Sequence, residues 1–410
     1  MKPTYRHTRV AGYIGYIVQA IVNNLSPLLF VTFHTAYGLS YGLISVLIVL
    51  NFCIQIATDF SSAFLLRRIG YRGAAVSAHA LCFAGLVMLG VLPRVMPQVF
   101  AALLISTLFM AVGGGLIEVV VSPMIEALPG DSKEASMALL HSFYCWGQMG
   151  VVLLSALYFA VVGTSHWFWL PLLWSLVPLF NLFLFSFVPV LVLESDAART
   201  PLSRLFGSGI FWLLFVLMFC SGACELAMSQ WSSAFAETAL GLSKTVGDLL
   251  GPCTFAALMG LGRVLYMRIC RRIPLERWLL CSGILCVIAY LIASLAPHPY
   301  LSLFGCALCG FSVAVMWPGI YSIGAKRCSA GGSVMFAFFA LAGDVGCAAG
   351  PTLGGLLSDA YAAGRLPTTS LLDSGMKYGL LASVLFPALL VLFTLLLRAH
   401  HAKAERPDRP

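Results

Sequence analysis

Twelve apolar stretches run through this chain, most of them about 20 residues or longer, and each can cross ~30 Å of hydrocarbon as a helix. They lie at 10–33, 41–65, 73–92, 98–126, 135–162, 167–193, 209–236, 247–268, 278–296, 299–324, 331–358 and 374–398. No soluble core can hold that much apolar surface. Of 410 residues, 60% are apolar and 10% charged, against about a quarter charged in a soluble domain. The sequence predicts an all-α integral membrane protein. Its start, MKPTYRHTR, has the charge of a secretory signal. The run behind it has full spanning length and no small-residue cleavage site, so it is read as the first span.

Orientation follows from Lys and Arg, which cytoplasmic loops retain. Of the 24, nineteen fall on one side, four (Arg94, Lys244, Arg365, Lys377) on the other, and Arg263 within a span. Both termini are therefore expected in the cytoplasm, with the protein in the cell membrane. The formal charge of +8 reflects topology, and no nucleic-acid partner is expected. Thirteen scattered cysteines do not form a disulfide framework, and CALC at Cys306 to Cys309 is read as packing.

Residues about 200 apart echo one another. YGLSYG at 37–42 recurs as LGLSKT at 240–245, and Arg67-Arg68-Ile69 as Arg271-Arg272-Ile273. Gly115 with Pro123 recurs as Gly310 with Pro318, and the GxxG of Gly147 and Gly150 as Gly343 and Gly346. Such an echo is the mark of a duplicated transporter. It predicts a six-helix half over 1–193, a cytoplasmic linker over 194–208, a second half over 209–398 and a tail over 399–410.

Two pseudo-symmetric six-helix bundles, cytoplasmic termini and a basic loop between spans 2 and 3 resemble the major facilitator superfamily. That family's loop pattern falls on Ala63 to Arg72, where Arg68, Gly70 and Arg72 fit, Ala63 replaces Gly and Arg67 replaces the acid. The missing acid is one that helps latch the family's two halves on the cytoplasmic side. Glu118 in span 4, and the passage from MWPGIYSIGAKR to GDVGCAAGPTLGGLLSD, resemble the fucose-permease-like sugar:proton symporters. The resemblance implies alternating access and a central path lined by spans 1, 4, 7 and 10. Transposed here, that lining offers Asn23, Asn24, Glu118, Glu225, Gln230, Trp317 and Tyr321.

Charged side chains within spans cost ~2.5–3.5 kcal/mol each on insertion scales, so they face a polar interior or a partner. They are Asp59, Glu118, Glu225, Arg263 and Asp344. Four acids against one base leave a negative surplus that proton binding relieves, so Glu118, Glu225 and Asp344 are candidate coupling groups. The alternative is structural pairing, for Glu118 with another helix and for Asp344 with Arg263. His141, Tyr144 and Gln148 share a face of span 5; His141 is either a satisfied hydrogen-bonding group or part of a relay with Glu118.

Trp317 and Tyr321, one turn apart around Pro318, suit stacking on a sugar or on an organic cation. Gln230 and Trp231 either join the site beside Glu225 or pack between helices. Asp59 and Arg263 occupy equivalent positions in the two halves. With Arg67, Arg68 and Arg72 they are expected to act in gating near the inner mouth.

No Walker A loop, metal-ligand cluster or nucleophile triad has convincing spacing, so no enzyme activity, cofactor or metal is expected. The partners expected are a small polar solute, protons and the lipid bilayer, and a monomer suffices. The reading is a proton-coupled symporter, sugar-like solutes favoured. Its rivals are proton-driven export of lipophilic or cationic compounds and a non-transporting receptor or scaffold.

Overall fold

A computed structural model describes residues 4–129, 133–191, 205–269, 273–327 and 332–404. Among the described residues the structure is helical throughout, with no strand. The helices are α1 (Tyr5–Asn24), α2 (Phe30–Tyr37), α3 (Tyr41–Val95), α4 (Val99–Glu126), α5 (Lys133–Val162), α6 (Trp169–Phe187), α7 (Gly209–Thr238) and α8 (Lys244–Asp248). There follow α9 (Thr254–Ile269), α10 (Leu275–Leu295), α11 (Pro299–Val313), α12 (Met316–Arg327), α13 (Gly332–Ala362), α14 (Gly375–Ala382) and α15 (Leu385–Ala404). Within α3 the backbone turns at Gly70, whose φ of 67° suits glycine. That turn separates the spans Tyr41–Ser61 and Arg68–Val95.

Eleven stretches of the described residues are long and apolar enough to cross a membrane. The expected span 331–358 is helical as α13, 31 residues long, enough to cross a membrane.

Unlike a soluble protein, the chain also exposes large apolar side chains along its helices. On α6, Phe180, Phe183 and Phe187 are 56–69% exposed, whereas Ser175 and Asn181 are buried. Such a face meets hydrocarbon at no cost, and the polar groups must find partners inside. Asn181 does so: its Nδ2 donates to the Ala11 carbonyl at 3.0 Å and to His79 Nε2 at 2.8 Å, joining α6 to α1 and α3. His79 Nδ1 lies 2.7 Å from the Ala75 carbonyl and must donate to it. Nε2 is then the acceptor, so this fully buried ring is neutral.

By contacts the chain divides into two compact units, Met1–Ser195 with Ser243–Leu249, and Asp196–Leu242 with Leu250–Pro410. Repeated glycines bring helices close in each. Gly115 brings α4 against Gln55 and Thr58 of α3, and Gly310 brings α11 against the Phe255 backbone of α9. Gly147 seats α5 on Ile17 and Ala20 of α1 and Gly346 seats α13 on α7, whereas Gly343 faces the Trp317 ring of α12 and Gly150 meets nothing within 4 Å. A Cβ on Gly346 would sit 2.0 Å from the Phe219 carbonyl oxygen, so the two backbones touch. The Gly-Leu-Ser echo has one shape too: Gly38 and Gly241 take φ of 66° and 64°, and Ser40 and Ser243 stand at the next helix's N-cap.

Cys306 and Cys309 are fully buried on α11. Cys309 Sγ lies 3.9 Å from Cys286 Sγ of α10 and 3.8 Å from the Cys224 carbonyl of α7. These thiols fill the seam as small hydrophobes.

Candidate functional site

In the first unit, polar side chains gather along one face of α1. Tyr16, Gln19 and Asn23 follow at steps of three and four, which stacks them on one side of a helix. Gln19 Nε2 donates to Glu118 Oε2 at 2.7 Å. The Tyr16 hydroxyl pairs with Ser122 Oγ at 2.6 Å, one turn beyond Glu118 on α4. Asn23 Oδ1 accepts from Gln55 Nε2 at 3.1 Å and Asn51 Nδ2 at 3.4 Å, both of α3. One turn past Gln55 on α3 stands Asp59, within electrostatic reach of Glu118.

Glu118 is exposed, yet it sits well inside α4 beside the buried Ile117 and Val120. A carboxylate that far from the helix ends cannot face lipid cheaply, so it faces a polar interior. His141 of α5, also exposed, packs edge-on against the Tyr16 ring with centroids 5.2 Å apart. Tyr16 therefore stands between His141 and the Ser122 turn that follows Glu118. Asn24 donates to the Ala20 carbonyl at 3.0 Å and reaches the Tyr144 hydroxyl at 3.4 Å, while Gln148 is buried farther along α5.

The second unit is arranged differently. Pro318 has no N–H, so the carbonyl four residues back, Ala314, loses its helical donor. The helix breaks there, α11 ending at Val313 and α12 starting at Met316. Arg263 Nε donates to the Ala314 carbonyl at 3.1 Å, and Glu225 of α7 lies within electrostatic reach of the same guanidinium. Arg263 thus mends a broken backbone and faces an acid.

Trp317 and Tyr321 are half-buried on α12, centroids 6.3 Å apart and planes inclined at 48°. The Trp317 ring lies against Gly343 of α13, one residue before the half-buried Asp344. Gln230 is buried. Trp231 is 1% exposed and gives its indole N–H to the Pro351 carbonyl at 2.8 Å. With its ring packed on Gly354, this indole has the packing environment rather than a ligand-facing one.

Of the basic loop, Arg72 Nη2 donates to the Val188 carbonyl at 2.9 Å, beyond the last residue of α6. A cation is favoured at a helix C-terminus. Arg68 stacks over Phe64 at 4.4 Å. The side chain of Arg67 lies outside the described residues, as do Arg271 and Arg272.

Sequence reasoning missed Tyr16, Gln19 and Gln55. The i, i+3, i+7 spacing of Tyr16, Gln19 and Asn23 was the available signal. His79 and Asn181 gave none, because their pairing joins residues 102 apart.

Long apolar helices that expose large hydrophobic side chains define a multi-pass membrane protein. The family model described as Major Facilitator Superfamily matches residues 12–351. The chain belongs to the major facilitator superfamily. Among curated proteins none matches it.

Solved structures give the same fold at low identity. The E. coli fucose:proton symporter FucP aligns over 95% of this chain and 98% of its own, with 18% identity and a TM-score of 0.64. A bacterial homologue of the human lysosomal transporter Spinster, inward-facing and occupied, aligns over 100% of both chains at 14% identity and a TM-score of 0.74. A D-xylose-proton symporter aligns over 95% of both at 14% and 0.73. This likeness is one of fold.

Proposed function

We propose that the chain is a proton-coupled symporter of a small polar solute, sugar-like by preference, working by alternating access in the cell membrane with both termini cytoplasmic. On this reading α13 is the twelfth span and the two halves are six-helix bundles. The observation that carries it is the Glu118 carboxylate deep in α4, held by Gln19 at 2.7 Å with Asp59 in electrostatic reach. Two neighbouring carboxyl groups in a membrane interior call for a compensating positive charge, and a proton supplies it.

Glu118 then takes and releases the coupling proton, and Gln19 and the Tyr16–Ser122 pair position it. His141 and Asp344 remain candidate partners in that transfer. Glu225 and Arg263 compensate each other's charge, which leaves them to orient solute or govern conformational change. Asp59 belongs with Glu118, and the gating role extends to Arg68 and Arg72 at the cytoplasmic end. Asn23, Asn24, Tyr144, Gln148 and Gln230 are proposed to hydrogen-bond solute, with Trp317 and Tyr321 stacking on it. Two inclined rings at 6.3 Å suit a sugar face, which favours that class.

Proteoliposomes test this. An imposed proton gradient should drive accumulation of the transported sugar, and Glu118→Gln should abolish accumulation while sparing counterflow exchange. Full gradient-driven accumulation by Glu118→Gln removes the assignment.

A further inference from the structure

The end of the first unit farthest from residue 5 carries a cavity of about 410 Å³, within the ~300–1,000 Å³ range of small-molecule sites. Three separate segments build it. The end of α2 contributes Thr32, Thr35 and Tyr37, the last turn of α3 contributes Arg94, and the turn between α5 and α6 contributes Thr164, Ser165, Trp167 and Phe168.

Local sequence explains why these segments hold still. Gly38, at φ 66°, ends α2, and Gly163, at φ 84°, opens the turn that follows α5. Tyr158 then ties that turn down by donating to the His166 carbonyl at 2.7 Å. Trp167 is clamped edge-on by Phe33 at 5.4 Å and Tyr37 at 6.4 Å.

Arg94 is the charged group of this cavity. It is one of four Lys and Arg on its side of the sequence topology, where cations are scarce. Two of the others are engaged, Lys244 with Asp248 at 3.1 Å and Lys377 with Asp373 at 2.8 Å. Among the described residues Arg94 has no ion-pair partner. Its guanidinium carbon lies instead 3.9 Å from the Phe168 ring centroid. Stacking occupies a guanidinium face and leaves the in-plane N–H fork available, the geometry that grips an oxyanion by two parallel hydrogen bonds. Thr32, Thr164 and Ser165 line the same space.

From this juxtaposition we infer that the cavity is an oxyanion site, taking a carboxylate or phosphate group through Arg94, separate from the polar cluster around Glu118. A phosphate reaches such a place either free in solution or as the headgroup of an anionic lipid, and the chemistry of the grip is the same.

The test uses the full chain, purified in a neutral detergent, with thermal unfolding followed at matched ionic strength in chloride, inorganic phosphate, acetate or short-chain phosphatidylglycerol. Wild type should be stabilised by at least one of the three oxyanions over chloride. Stabilisation by inorganic phosphate or acetate marks a free-anion site, and stabilisation by phosphatidylglycerol alone marks a lipid site. In Arg94→Gln the half-saturating concentration should rise roughly tenfold or more, and Arg94→Lys, which keeps the charge and loses the fork, should fall between. If wild type shows no preference for any of the oxyanions over chloride, or if Arg94→Gln responds as wild type does, Arg94 is only an interfacial anchor and the site does not exist. Transport need not be measured, so the outcome is independent of the symport reading.

Discussion

Replacing Pro318 should repair what the loss of Arg263 breaks. Ala314 is fully buried, and its carbonyl has Arg263 Nε as donor at 3.1 Å where Pro318 offers no N–H. Leaving a buried acceptor unpaired costs ~1–3 kcal/mol. Arg263 also faces Glu225, so the cycle belongs in a Glu225→Gln background, where removing the arginine strands no opposing charge. There Arg263→Met should lose ~1–3 kcal/mol, a change of roughly 5- to 150-fold in the folded ratio. Pro318→Ala restores an N–H four residues beyond Ala314. The double variant should recover most of the loss, for a coupling energy of ~1–3 kcal/mol. Unfolding in detergent can be followed with a thiol-reactive dye, since Cys306 and Cys309, on the helix that ends at the break, are fully buried. A coupling energy under ~0.5 kcal/mol, the scatter of independent sites, would show that Arg263 does not mend this break.

Other outcomes follow from single contacts. Gly346→Ala, whose Cβ would lie 2.0 Å from the Phe219 oxygen, should lower the melting temperature through ~1–3 kcal/mol of overpacking. Gly150→Ala, with nothing within 4 Å, should be neutral or gain up to ~1 kcal/mol, and equal melting of the two variants would contradict the backbone contact. Asn181→Leu should cost ~1–3 kcal/mol, because the buried His79 Nε2 loses its donor, read as earlier unfolding. Tyr16→Phe, which removes the 2.6 Å bond to Ser122, should slow gradient-driven uptake more than counterflow, and equal slowing of both would count against a part in proton transfer.

Much of the architecture was legible because it depends on local pattern. Apolar length sets the spans, and their expected ends agree with the helices to within a few residues at most positions. The small-residue spacing of Gly343, Gly346 and Gly350 announced a close helix contact, and α7 is the partner it found.

The site was legible only in part. Glu118 stood out because a lone carboxylate in an apolar helix is costly wherever the helix packs. Gln19, Tyr16 and Gln55 did not stand out, since a neutral polar residue costs little until its neighbours are known.

The chain's own order of residues therefore decides that it is a membrane-embedded bundle of helices, because the free energy of burying apolar length in hydrocarbon is additive along a segment and needs no partner. It also decides which few charges must be accommodated. Which group accommodates which is a matter of tertiary structure alone: Asp59 and Arg263 are equivalent in the repeat, yet one senses an acid on α4 and the other mends a carbonyl beside α12. Hydrogen bonds and charge pairs act over a few ångströms between helices distant in sequence, and only their packing brings Gln19 within 2.7 Å of Glu118.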